Sequence, residues 1–227
     1  MTQETNWFKT GSDGYEEKKK LDAIATTRKE RGVPRFRIAK GEEADIVFVD
    51  SAPFFIHEHV IWTGNSNLYL TCTKDFQPCA VCEHDERRPI FTAYLTVIDT
   101  REFTRKSDGK ITKNRRILFP AKGPSMERIK SLVAANGGDI TGLMVKAKRY
   151  GDKEPNCGSD FLVLNDGKRV DVADSFEKDF DKPFEYRKLM APATEEELAN
   201  LGYRNPVKGS SSDLATDAEE TNLTALL

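Results

Sequence analysis

Between residues 35 and 164 the chain is written in short β-branched and aromatic runs, and this texture limits the fold more than any other feature. RFRI (35–38), ADIVFVD (44–50), HVIW (59–62), LYLTC (68–72), IFTAYLTVID (90–99), NRRILF (114–119), LMVKAKRY (143–150) and FLVL (161–164) read as strands, divided by turn signals such as TGNSN, SDGK and NDGK. One helix pattern interrupts them. PSMERIKSLVAAN, 124–136, begins with Pro124 in its first turn and stops at Gly137 and Gly138.

Many short strands predict a mainly β domain, and one helix ahead of the closing strands fits a partly open barrel of the OB type. The flanks differ in character. Residues 15–31 contain helix formers with a thin apolar face and stop at Gly32, which predicts a surface helix or arm. After about residue 170 the strand signal fades, and TEEELANLG (194–202) carries a capping box, Thr194 with Glu197, for a short helix. The last segment, GSSSDLATDAEETNLTALL, is polar and acidic and reads as disordered. The expected division is a basic arm over 1–32, a β core over 33–170 with an insertion at about 54–88, an extension over 171–208, and a tail over 209–227.

No stretch approaches the roughly 18 consecutive apolar residues of a membrane span, and MTQETNWFKTGSDG lacks the apolar core of a signal peptide. A reducing cytoplasm is therefore expected, where clustered cysteines bind metal more often than they form disulfides. The net charge of -2 hides segregation. Residues 101–130 hold ten Lys or Arg against three acids, residues 1–40 hold ten bases against six acids, and the tail has four acids and no base. A basic middle with an acidic end suggests a polyanion partner and a segment that competes with it.

CTKDFQPCAVCEH, 72–84, packs three of the four cysteines and one of the three histidines into a short stretch. Cys79 and Cys82 form a CxxC, a spacing that lets two thiolates of one turn take two corners of a tetrahedron, and Cys72 lies just upstream. The fourth ligand must be His57, His59 or His84. His84 follows Cys82 closely, whereas His57 and His59 lie on a strand that pairs through TGNSN with the strand ending at Cys72. Alternation places both on one face and does not choose between them. Cys157, in PNCGSD, is expected to be a free thiol. Pro78-Cys79-Ala80-Val81-Cys82 is similar to the second half of a zinc deaminase signature, but the first half fails because no Glu stands two residues after a ligating His. Four protein ligands would also close the site to water, so a structural zinc is expected.

The arrangement His59-x12-Cys72-x6-Cys79-x2-Cys82 resembles the His-Cys-Cys-Cys zinc site of phage single-stranded DNA-binding proteins that carry a zinc subdomain inside an OB-fold. RFRIAKGEEADIVFVD, the Glu58-His59 pair, FTAYLTVID and LFPAKG look like the same family, over roughly 33–165. The resemblance implies His59 as the fourth ligand, an OB-fold, and cooperative coating of single-stranded DNA during phage replication, recombination and repair. It also implies the cytoplasm of an infected bacterial host and an acidic tail that recruits replication and recombination proteins.

Binding a single strand requires cations for phosphates and exposed aromatics for bases. The expected hairpin REFTRKSDGKITKNRR supplies Arg101, Arg105, Lys106, Lys113, Arg115 and Arg116, with Phe103 between them. Lys146, Lys148, Arg149 and Tyr150 form a second set, and Arg35 and Arg37 straddle Phe36. Trp62, Tyr69 and Tyr94 are stacking candidates, although aromatics in strands are more often core. RKS at 105–107 resembles a basic and hydroxyl motif that such proteins use for cooperativity, and the basic N-terminal arm is the better candidate for contact with a neighbouring protomer. In the tail, Asp213, Asp217, Glu219 and Glu220 precede Leu223, Leu226 and Leu227, a pattern that an apolar pocket with a basic rim could capture. The expected protein is a non-enzymatic single-strand binder. The competing readings are a zinc-containing regulator of double-stranded DNA or transcription, and a zinc-dependent nucleic-acid enzyme.

Overall fold

The computed structural model describes residues 33–62, 67–85, 88–105 and 108–203. Its centre is a seven-stranded antiparallel sheet built from β1 (Glu43–Phe48), β2 (Phe54–Trp62), β3 (Asn67–Thr71), β4 (Ile90–Asp99), β7 (Arg115–Ala121), β8 (Met144–Lys148) and β9 (Asp160–Val163). Two-residue strands β5 (Phe103–Thr104) and β6 (Ile111–Thr112) form a separate hairpin. The order is β3-β2-β4-β1-β8-β9, with β7 on the other edge of β4. The fold is mainly β, and the sheet does not close into a barrel: no ladder joins β7 to β9 among the described residues.

IFTAYLTVID forms the strand expected of it over its whole length, and it organises the sheet. Along one edge of β4, β2 pairs with its first half (Glu58↔Ile90 to Phe54↔Tyr94) and β1 with its second (Phe48↔Val97 to Ile46↔Asp99). The break between them falls at Asp50-Ser51-Ala52-Pro53, where Pro53 has no N–H to donate. Here Asp50 takes over from the backbone: its carboxylate accepts the Thr96 N–H at 2.5 Å. From Thr92 to Asp99 every residue of β4 is buried, which explains its near-continuous apolar run.

One face of β4 meets the main core of Phe36, Ile46, Phe48, Leu95, Val97, Phe119, Leu143, Val145 and Phe161. The helix Pro124–Ala135 completes that core with buried Ile129 and with Met126, Leu132 and Val133, lying against β7 and β9. It ends as its glycines require: Gly137 and Gly138 take positive φ, and Gly138 N–H bonds the Val133 carbonyl at 2.9 Å. The other face of β4 is covered by the extension, through Val172, Phe176 and Phe180. RFRI departs from expectation. It forms a single parallel bridge, Arg35 to Leu118, and then bonds Asn156 through Ile38 N–H, so it lies between β7 and the β8–β9 connection instead of forming a full strand.

The extension is strapped to the sheet at the Asp50 break. Tyr186 donates to Asp50 at 2.5 Å and stacks on Phe54 at 5.2 Å, while Thr96 Oγ1 accepts the Phe184 N–H. Burial pushes the Asp50 carboxyl above its ordinary range, against the pull of the Tyr186 and Thr96 donors. The expected helix at 194–202 is present as Glu195–Asn200, with both hydrogen bonds of its Thr194–Glu197 capping box. No helix among the described residues is long and apolar enough to cross a membrane. The arm over 1–32 and the tail over 209–227 lie outside the described residues.

Removing the Tyr186 hydroxyl deletes one donor to a buried carboxylate, a loss of about 1–3 kcal/mol. Tyr186→Phe should therefore lower the urea midpoint with little change in m; an unchanged midpoint would mean that the strap adds nothing to stability.

Candidate functional site

Four side chains from three pieces of chain converge beneath β2 and β3. His59 is supplied by β2, and Cys72 follows directly on β3, where its N–H bonds the His57 carbonyl at 2.8 Å. The KDFQP segment then turns back, with the Phe76 and Gln77 N–H groups on the Thr73 carbonyl and Thr73 Oγ1 on Pro78. That turn delivers Cys79 to the start of the helix Ala80–Asp85, whose first turn carries Cys82. His59 Nε2 lies 3.4 Å from both Cys79 Sγ and Cys82 Sγ, and Cys72 Sγ lies 3.6 Å from Cys82 Sγ. All four ligand atoms fall within 4.8 Å of one another; His59, Cys72 and Cys79 are buried and Cys82 is half-buried.

Three thiols and an imidazole fit a metal ion of borderline or soft character. Burial pushes Cys82 up to about 12 and raises Cys72. On Cys79 burial acts the same way, but hydrogen bonds from the Cys82 and Thr73 backbone and from neighbouring thiols outweigh it, and its value falls below the ordinary thiol range. The fold by itself thus eases ionisation of Cys79 relative to the other two, and a cation would stabilise all three thiolates. Burial also lowers His59, toward the neutral form that ligates metals. Its Nδ1 is buried with no hydrogen-bond partner among the described residues.

The structure separates the histidines that alternation left open. His57 is bonded to Asp75 at 2.8 Å and rests against Phe91 at 4.9 Å, outside the cluster. His84 pairs with Asp85 and meets the edge of Tyr203. Cys157 is a free, buried thiol in the main core.

On the opposite face of β2 lies a cleft of about 590 Å³, walled by β2 and β3, the Val33–Arg37 segment and residues 188–197 of the extension. Arg35, Arg37, Trp62 and Tyr69 of the expected contact residues all line it, together with Lys188. Trp62 is 62% exposed. At its base the Glu58 carboxylate, 1% exposed, accepts from Arg35 Nη2 at 3.2 Å, Lys122 Nζ at 2.5 Å, Thr92 Oγ1 at 3.0 Å and the Tyr94 hydroxyl. The Arg35 guanidinium stacks 3.4 Å above the Tyr69 ring. Burial pushes Glu58 up, but Arg35 and Lys122 pull harder and hold it below the ordinary carboxylate range.

Other expected contacts are placed differently. Tyr94 is fully buried with its hydroxyl on Glu58, so its ring offers no face to a base. Arg101 and Arg115 both bond the buried Asp99, and Arg115 also covers Phe103 at 4.1 Å. Arg116 bonds the Asp179 and Lys182 carbonyls and lies over Phe184. Lys146 pairs with Glu43 and Asp45, Lys148 with Glu43, and Arg149 bonds the Ile38 carbonyl. Tyr150 is exposed but donates to Asp160, and Arg105 pairs with Asp108. Lys113 is exposed and makes no ion pair among the described residues. Lys106, and Asp213, Asp217, Glu219, Glu220, Leu226 and Leu227 of the tail, lie outside them. Sequence reasoning missed Glu58 and Lys188 as parts of the cleft, and Lys122 as a partner of Glu58; an acid inside an apolar strand was the available signal for Glu58.

Comparisons with family models, with curated proteins and with solved structures find no match.

His59→Ala and Cys72→Ser should lose bound metal by elemental analysis, while His57→Ala and Cys157→Ser should keep it. Retention by His59→Ala would overturn the ligand set. Glu58 gives a pH signature. Its folded value lies below its unfolded one, so its contribution is present above about pH 4.5 and is lost as pH falls through the folded value. Wild type should therefore exceed Glu58→Gln in urea midpoint at neutral pH, with the gap closing on acidification; a gap that persists in acid would contradict this.

Proposed function

We propose that this chain binds single-stranded DNA with little sequence preference, in an OB-type fold braced by a structural zinc ion. The observation that carries the reading is the cleft, which gathers Arg35, Arg37, Lys188 and the exposed Trp62 on one face. Cations along a groove with an aromatic platform are what a single strand needs, and base–aromatic stacking contributes about 1–3 kcal/mol per base. The strand order supports the fold assignment: β1, β4 and β7 lie side by side in that order, a helix follows, β8 returns to pair with β1, and β9 pairs with β8. The helix lies against both β7 and β9, where a partly open barrel would close.

Zinc is the ion in this reading because three thiols and an imidazole are a common structural zinc set. A tetrahedron with Zn–S near 2.3 Å and Zn–N near 2.0–2.1 Å has edges of about 3.5–3.8 Å; the contacts of 3.4 and 3.6 Å come close to this, and the remaining separations, within 4.8 Å, would close onto the ion. With four protein donors the ion would hold the β2–β3 lobe together and perform no reaction. The competitive acidic tail belongs to the same reading and rests on charge pattern, while the recruitment of replication proteins rests on the resemblance and on the tail's acids followed by leucines.

Fluorescence anisotropy with oligo-dT and with duplex of equal length, over a salt series, tests the proposal. The single strand should bind more tightly, with log K falling as log salt rises, by about 0.7 per phosphate neutralised. Equal or tighter duplex binding would overturn it in favour of a double-stranded DNA regulator.

A further inference from the structure

We propose that the cleft contains a phosphodiester subsite centred on Arg35, in which Lys122 adds positive charge from behind Glu58 and Tyr69 positions Arg35 and is not itself a base-stacking residue. This rests on the single-strand reading above. Glu58 is saturated, because a carboxylate offers about four lone-pair sites and four donors already occupy it. Two cations face that one buried anion, so the cluster keeps one positive charge in excess of its acid among the described residues. Arg35 Nη1 is buried and bonds nothing among the described residues. A donor left so in a cationic recess requires an acceptor, and a phosphodiester oxygen supplies both acceptor and charge. Glu197, the other acid lining the cleft, accepts the Thr194 N–H at 2.9 Å on the far wall.

Tyr69 cannot serve both roles on the same ring face. The guanidinium lies 3.4 Å from its ring centroid, at stacking contact, and Lys122 Nζ lies 5.6 Å away. A base would have to displace Arg35 to use that face. Trp62 has no such cover. Tyr69 pairs with Val60 and Asn67 with Trp62, so alternation puts Tyr69 and Trp62 on one face of the β2–β3 hairpin, a diagonal step of about 7–8 Å apart. A strand with its phosphate at Arg35 can therefore present a neighbouring base to Trp62.

The two roles separate in a salt titration with oligo-dT. Arg35→Gln should lower the magnitude of the salt slope by about 0.7, the value of one phosphate. Tyr69→Leu should lower it similarly, and the double variant should lose little more than either single one. Trp62→Ala should weaken binding roughly 5- to 150-fold with the slope unchanged. Arg35→Lys, which keeps the charge beside Glu58, should keep the slope and guards against misreading an unfolded Arg35→Gln. Tyr69→Leu that weakens binding at unchanged slope would make Tyr69 a stacking residue and overturn the proposal. Saturable thermal stabilisation by dTMP alone that Arg35→Gln abolishes would also overturn it, in favour of a free-nucleotide site. Discrimination of oligo-dT from duplex by wild type tests the underlying reading separately from the slopes.

Discussion

On strand β2 two neighbouring residues face opposite ways, and both halves of the candidate site follow from that alternation. His59 points into the thiol cluster, while Glu58 points to the base of the cleft. A slip of one residue would exchange them, aiming a carboxylate at three sulfurs and an imidazole at two cations. The register is held from both sides, by β3 from Glu58↔Thr71 to Trp62↔Asn67 and by β4 from Phe54↔Tyr94 to Glu58↔Ile90. The thiol-cluster lobe and the cleft are thus two faces of one hairpin.

Each face solves the same electrostatic problem with a different counter-charge. A carboxylate as buried as Glu58 persists only with compensation, and Arg35 and Lys122 supply more than it needs. Three clustered thiols cannot all ionise unaided, because each thiolate raises the cost of the next, and burial already opposes Cys72 and Cys82. The lobe around them is small, with Leu70, Ala80, Val81 and Tyr203 as its buried non-cysteine core. A metal ion held there would supply what the apolar area of so small a lobe does not provide.

The strand content was legible in sequence wherever local pattern was strong: the run 90–99, the helix at 124 and the capping box at Thr194 all fall where spacing put them. Spacing made the His–Cys cluster legible to within a choice between two strand histidines; the resemblance pointed to His59, and the strand register brings that residue to the three thiols. What spacing could not show is which cations are already neutralised. The stretch 101–130 reads as basic because its main acid, Asp99, lies just outside it, yet that buried residue takes both Arg101 and Arg115. Lys146 and Lys148 meet Glu43 and Asp45 only because β8 pairs with β1, a contact about a hundred residues apart in sequence. Tyr94 was expected as a platform because strand aromatics look alike whichever way they face; pairing with β2 brings its hydroxyl to Glu58.

The extension, weakest in sequence signal, joins these parts. It begins on the outer face of β4, is fixed at the Asp50 break by Tyr186, and then runs along the cleft as its third wall. Thr71 donates to the Met190 carbonyl at 2.7 Å, next to the Cys72 ligand, and Tyr203 donates to Asp85 at 2.7 Å on the helix that carries Cys82. Leu198 and Leu201 pack into the same small core as Cys79. The wall bearing Lys188 is therefore held at one end by the main sheet and at the other by the thiol-cluster lobe. Loosening of the thiol cluster would be felt in the width of the cleft, although no ligand of the cluster lies on the Glu58 face of β2. A brace of this kind acts on binding through position alone.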